Sequence, residues 1–131
     1  MNSPAVDIAN ILESSAFNYG VVGTDLFVSR EPLTPVNCTT IYDTGGFAPE
    51  SADEIYDRPT IMARIRNSSY SGGYAKVQAI KTALHNAHQI TEGGTRYIAI
   101  WAQSDILFIG YDDSNHALFT INFRIHRTPS T

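Results

Sequence analysis

Cysteine occurs once, at Cys38, so the chain can hold neither an internal disulfide framework nor a multi-cysteine zinc or redox motif. At the start of an apolar segment a lone cysteine reads as a small buried hydrophobe. Charge is scarce as well, with charged residues at 17% against 43% hydrophobic. That is an ordinary globular composition with extra neutral surface for partners. No apolar run approaches a membrane span, and the N-terminal segment lacks basic residues and carries Asp7 and Glu13. A chain without membrane helix or signal peptide, made and kept in a cytosol, is therefore expected. The triplets at Asn37 and Asn67 fit the glycosylation pattern, which means little without a secretory route. Repeats and low-complexity segments are absent. The 131 residues fit a single domain, 1–131, able to bury roughly two thirds of the surface its unfolded form exposes.

A basic balance is also missing. The net charge of −4 and pI near 5.4 argue against nucleic-acid binding as the main task. The charge is lopsided: residues 1–57 hold nine acids and one base, a net −8, and residues 58–131 hold eight bases and four acids, a net +4. Either the folded chain is dipolar, which suits head-to-tail contact between copies, or the fold interleaves the halves and cancels the field.

Signatures of chemistry are lacking too. His85 and His88 fall at i and i+3 of an expected helix, where a shared metal would need His116, His126 or an acid to complete the site. No paired ligand motif accompanies them, and two exposed helical histidines are the plainer reading. Cys38, His116 and Asp113 are the residue types of a nucleophile, a base and an orienting group, but no nucleophile motif surrounds them. Gly45-Gly46, Gly72-Gly73 and Gly93-Gly94 are too short for a dinucleotide fingerprint, precede no phosphate-loop lysine and read as turns. Asp112-Asp113-Ser114-Asn115 falls short of a calcium loop and reads as a hairpin turn. Catalytic residues, cofactors and metals are all expected to be none.

What is present is a pattern of helices and strands. Ser3-Pro4 predicts a helix start running to about Ser15, with Ala5, Ile8, Ala9 and Leu12 on one face. Thr24 to Arg30 reads as a short strand, ended before Pro32 and Pro35. A second helix is expected from about Tyr74 to His88, with Tyr74, Val77, Ile80 and Leu84 as its stripe. Arg96 to Ala102 and Ile106 to Tyr111 are apolar on both faces and read as central strands joined by a tight hairpin link at Gln103-Ser104-Asp105, with Glu92-Gly93-Gly94 as a connection before them. Ala117 to His126 alternates strictly, the clearest amphipathic strand in the chain. The class is α+β: a mainly antiparallel sheet of six strands, two helices packed on one face and a long protruding hairpin loop. Two helices cannot cover both faces, so the second face must be polar or meet another subunit.

That hairpin organises the chain. Cys38 to Asp43 and Pro59 to Asn67 read as strands, and Thr44 to Arg58 between them is fifteen residues long. Connections beyond about a dozen residues are usually functional or disordered. Gly45, Gly46, Phe47 and Pro49 shape the loop, and Glu50, Asp53, Glu54 and Asp57 make it anionic. It reads either as solvated or as an interface loop that orders against a cationic neighbour. Arg64, Arg66, Arg124 and Arg127 lie on strands and form a candidate basic face.

In this order Gly23-Thr24-Asp25-Leu26-Phe27-Val28, Ile41-Tyr42-Asp43-Thr44-Gly45-Gly46-Phe47-Ala48-Pro49 and Arg58-Pro59-Thr60-Ile61-Met62-Ala63-Arg64-Ile65-Arg66, followed by the last helix and strands, resemble the tailed-phage minor capsid and tail terminator proteins. The resemblance implies a virion protein of the tail or neck, assembled in a host cytoplasm. It implies a homo-hexameric ring that caps the tail tube, ends its polymerisation and joins the tail to the head. The implied partners are further copies of itself, the tail tube protein and a neck or head-completion protein, with DNA passing through the lumen unbound. Carried over by position, the 44–58 loop is a docking loop for tube or connector. The arginines Arg64, Arg66, Arg124 and Arg127 then belong to subunit contacts. Two other readings stay open: a head-completion adaptor on the portal side, and a small α+β enzyme or ligand-binding domain.

Overall fold

In the computed structural model, which describes residues 1–48 and 56–129, the first helix, α1 (Pro4–Glu13), forms where Ser3 and Pro4 predict it. Ser3 Oγ accepts from the Val6 N–H at 3.3 Å and Asp43 Oδ1 accepts from the Ala5 N–H at 2.9 Å. Two of the free donors at the helix start are thereby satisfied. A ten-residue helix is marginal alone in water. Burial of Ile8, Ile11 and Leu12, about 1.5–3 kcal/mol each, holds it on the sheet.

That sheet begins with β1 (Leu26–Val28), parallel to β2 (Cys38–Phe47), which pairs antiparallel with β3 (Arg58–Asn67). The second helix, α2 (Tyr70–Leu84), leads to β4 (Ala87–Glu92), β5 (Thr95–Ala102), β6 (Leu107–Tyr111) and β7 (Ala117–Pro129). The strand order is β1-β2-β3-β7-β5-β4, with β6 also paired to β7. β7 lies at the centre: β3 covers one edge, while β6 and then β5 follow one another along the other. Two helices and a sheet with one parallel pair give the α+β class.

Five features differ from expectation. α2 starts at Tyr70, because the Ser69 side chain accepts from the Gly72 N–H and turns the presumed Ser-Gly-Gly loop into a first helical turn. Gly73 is required there, since a Cβ would lie 2.6 Å from the Phe119 ring. The helix stops at Leu84, because His85 is extended and its Nδ1 accepts from the Ala102 N–H at 2.9 Å. β4 takes the place of a presumed connection, making seven strands. Its period is broken by Gln89 at φ 54, and Gly93 and Gly94, both at positive φ, turn it into β5, the geometry of a two-residue hairpin. Residues 103–106 make no hairpin. Gln103 donates to the Asn122 carbonyl, and β5 and β6 run in the same direction along β7 as one interrupted strand. Finally β2 runs on to Phe47, past a register shift between Asp43 and Gly46, so the undescribed part of the 44–58 loop is 49–55.

Alternation sends Ile41, Ile61, Ala63, Ile65, Phe119, Ile121, Phe123 and Ile125 into one core cluster with residues of both helices. α1 packs against β1, β2 and β3 and also touches β4 at the opposite end of the strand order, so the sheet curls. The neighbouring positions Thr60, Arg64, Thr120, Asn122 and Arg124 make the reverse face polar.

A polar cluster lies between α1, β5 and β7. Tyr97 donates to buried Asp7 at 2.6 Å, Asn2 donates to the other Asp7 oxygen at 3.1 Å, and Arg127 donates to the Tyr97 oxygen at 3.2 Å. Burial, and after it the bond to Asp7, pushes the Tyr97 phenol above its ordinary range. Gly93 closes the cluster, since a Cβ there would meet Asn2 and Asp7 at 2.6 and 2.7 Å. Tyr97→Phe leaves the ring packing intact and removes a donor from a buried carboxyl group. It is expected to cost about 1–3 kcal/mol in urea unfolding, and an unchanged midpoint would contradict the network.

Candidate assembly surfaces

The root of the β2–β3 connection is built tightly. Gly45 and Gly46 have φ of 86° and 111°, values that favour glycine. A Cβ on Gly46 would also collide with the Arg58 carbonyl and come within 2.6 Å of the Pro59 Cα. Thr44 and Thr60 share a hydroxyl bond of 2.7 Å across the pair. Phe47 is 52% exposed, and the Arg124 guanidinium lies 4.9 Å from its ring and 5.4 Å from that of Trp101, a cation–π stack. Pro49, Glu50, Asp53 and Glu54 lie outside the described residues. Asp57 is bound to β7 by two backbone hydrogen bonds with Arg127, 2.8 and 3.0 Å, and by a 3.4 Å ion pair. Beside it Tyr56 meets His126 edge to face at 4.8 Å. Asp57 is therefore part of the loop's anchorage, unlike a freely solvated acid.

The four arginines divide in two. Arg66 and Arg127 are buried and serve their own chain. Arg127 also donates to the Asn2 carbonyl at 3.0 Å, tying the N-terminal segment and the loop root to one guanidinium. Arg66 grips the proline-rich link between β1 and β2. Its Nη2 donates to the carbonyls of Pro32, Pro35 and Leu33 at 2.5, 3.0 and 3.3 Å, and its Nε to Val36 at 2.9 Å. Glu31 lies 3.6 Å from Arg66 and accepts from Arg64 at 3.3 Å. Arg64 and Arg124 are only half-buried and remain on the polar sheet face. The ion pairs Glu31–Arg64, Glu31–Arg66 and Asp57–Arg127 all join the acidic half of the chain to the basic half. The interleaving alternative thus holds at these contacts.

The chemistry considered from residue types does not assemble. His85 is a helix cap and His88 lies on β4, so they share no helix face. Among the described residues no group of three His, Cys, Asp or Glu side chains could hold a metal. Cys38 is buried and burial pushes its thiol up, the opposite of nucleophile activation. Asp113 is an exposed turn residue, and His116 pairs with Asp112 at 3.1 Å.

A surface that the sequence reading missed lies along β6. Leu107, Phe108, Ile109 and Tyr111 are 38–57% exposed, and Tyr70 and Tyr74 at the start of α2 are exposed beside them. Phe108 lies 5.1 Å from Tyr70 and 5.4 Å from Tyr111, over buried Phe119. Among the described residues β6 pairs only with β7, which leaves its outer backbone edge open to them. Asp105 and Asp112 flank the strand. The Lys81 hydrogen bond holds the first carboxyl below its usual range, and the His116 backbone N–H does so for the second. The signal was an apolar run holding Phe108 and Tyr111, which pattern alone cannot separate from a buried central strand.

A small domain that spends buried arginines on shaping loops and leaves an aromatic sheet edge open is built for assembly. The model of the family described as bacteriophage tail terminator protein matches residues 15–129, and the chain belongs to that family. It is a structural, non-enzymatic protein of the virion tail or neck. A chain of the solved structure "Virion of native gene transfer agent (GTA) particle" is similar in fold. Its TM-score is 0.63 at 14% identity, over 95% of this chain and 94% of that one. No curated protein matches.

The division of the arginines gives a test. Arg66→Met removes bonds to four carbonyls and is expected to cost about 1.5–3 kcal/mol and to open the 32–36 link to proteolysis. Arg64→Met removes a half-exposed pair, at less than about 1 kcal/mol. Equal effects in urea unfolding would contradict the assignment.

Proposed function

We propose that the chain is a ring-forming terminator that caps the tail tube, ends its polymerisation and supplies the surface that joins tail to head. The observation that carries this reading is the family match over residues 15–129. The proposed assembly is a homo-hexamer closed by heterologous contacts, in which two different patches of each copy meet. Both helices cover one face of the sheet, and the polar reverse face with Arg64 and Arg124 is left to subunit contacts. Arg66 and Arg127 act beneath the surface.

The hairpin loop is the docking arm toward the tail tube protein on one side of the ring and the neck or head-completion protein on the other. Gly45, Gly46 and Asp57 support the arm's root geometrically, and Phe47, Pro49, Glu50, Asp53 and Glu54 form its contact region. No cofactor takes part. DNA crosses the lumen without sequence-specific binding, since acidic residues repel its phosphates.

Native mass spectrometry tests the ring: a closed oligomer is expected at high protein concentration or on addition of tube protein, and a chain that stays monomeric in both overturns the reading. For the arm, reversing Glu50, Asp53 and Glu54 to lysine while keeping Asp57 is expected to change monomer stability by less than about 0.5 kcal/mol and to abolish tube capping. Normal tails from that variant would remove the arm's role.

A further inference from the structure

Leu33 is 91% exposed, on a link that has little freedom left. Pro32 and Pro35 fix two backbone torsions, and Arg66 holds the carbonyls of Pro32, Leu33, Pro35 and Val36. Exposed leucines are common and need no explanation singly. A leucine on an already ordered loop differs, because docking it costs little further ordering, the property of a binding anchor.

The chain also carries a surface suited to receive it. Tyr70, Tyr74, Phe108 and Tyr111 form an exposed aromatic patch above Phe119, and the open edge of β6 runs through it. The two surfaces lie on opposite faces of the sheet. Arg66 stands opposite Leu118 in the β3–β7 ladder, so alternation points its loop away from the face that holds Phe119 and the rings. A copy therefore cannot fill its own patch.

Charge matches as well. Arg30, Arg64 and Arg66 against Glu31 leave the Leu33 loop net positive. Asp25 and Lys76, which share the cleft under Arg66, cancel. Around the patch Asp105, Asp112 and Asp113 outnumber Lys81, with His116 beside Asp112.

We infer that the Leu33 loop of one copy docks on the aromatic patch and β6 edge of the next, making the head-to-tail contact between subunits. Leucine packs on the tyrosine rings, and Arg30 and Arg64 face the acids at the ends of β6. This rests on the ring reading above and names the surfaces that close it. Arg66 is then a positioning residue that shapes the docking loop from within.

The experiment uses the full chain carrying Leu33→Cys and Tyr111→Cys together, with buried Cys38 left in place, treated with a short bismaleimide under conditions where native mass spectrometry shows the oligomer. A covalent ladder up to the full ring is expected, with Leu33→Cys alone or Tyr111→Cys alone stopping at the monomer. As a second measurement, Leu33→Ser is expected to weaken subunit association at least about tenfold and to leave thermal unfolding of the monomer unchanged. An oligomer that forms but gives no ladder, and that tolerates Leu33→Ser, overturns this contact and leaves the ring standing. A chain that never oligomerises overturns both.

Discussion

A strand hydrogen-bonded along both edges cannot shift without breaking two ladders, and β7 is paired in this way with β3 on one side and with β6 and β5 on the other. The rest of the molecule takes its position from that constraint. Phe119 on its inner face forms the floor of the aromatic patch, Arg124 on the reverse face stacks on the hairpin root, and Arg127 near its end holds Asp57, Asn2 and Tyr97. One rigid element thus sets the places of the hairpin root, the patch and the N-terminal helix.

Burying a guanidinium costs several kcal/mol unless hydrogen bonds and a counter-charge offset it. The chain does this twice, at Arg66 and Arg127, and both groups hold irregular segments in place. Arg66 satisfies the carbonyls of a proline-rich link whose donors are depleted, and Arg127 fixes the end of a long loop. Loops ordered before a contact forms reduce the entropy lost in making it.

Much of this architecture was legible. The strict alternation of Ala117 to His126 marked β7, Ser3-Pro4 marked α1, and the order of segments carried the class and the family resemblance. What could not be read depended on distant partners. β4 alternates poorly because of the Gln89 irregularity, and only its pairing with β5 makes it a strand. The Ser69-to-Gly73 run is helical because the Ser69 hydroxyl caps its first turn, and Phe119 packs where Gly73 has no side chain. The β6 segment reads as a central strand because both its faces are apolar, yet its outer edge is open. Among the arginines, residue type indicated a cationic face but could not show that Arg66 and Arg127 are buried. The acid Asp57 likewise belonged to the anchorage more than to the loop's free charge.

These features converge on a subunit that acts through contact, with the 32–36 link held in the monomer and an apolar edge left for assembly. The most direct measurement is electron microscopy of particles assembled without this chain. A terminator predicts tails of uncontrolled, excessive length that carry no heads. Tails of normal length, with full heads that leak their DNA, would contradict the account and move the chain to the portal side.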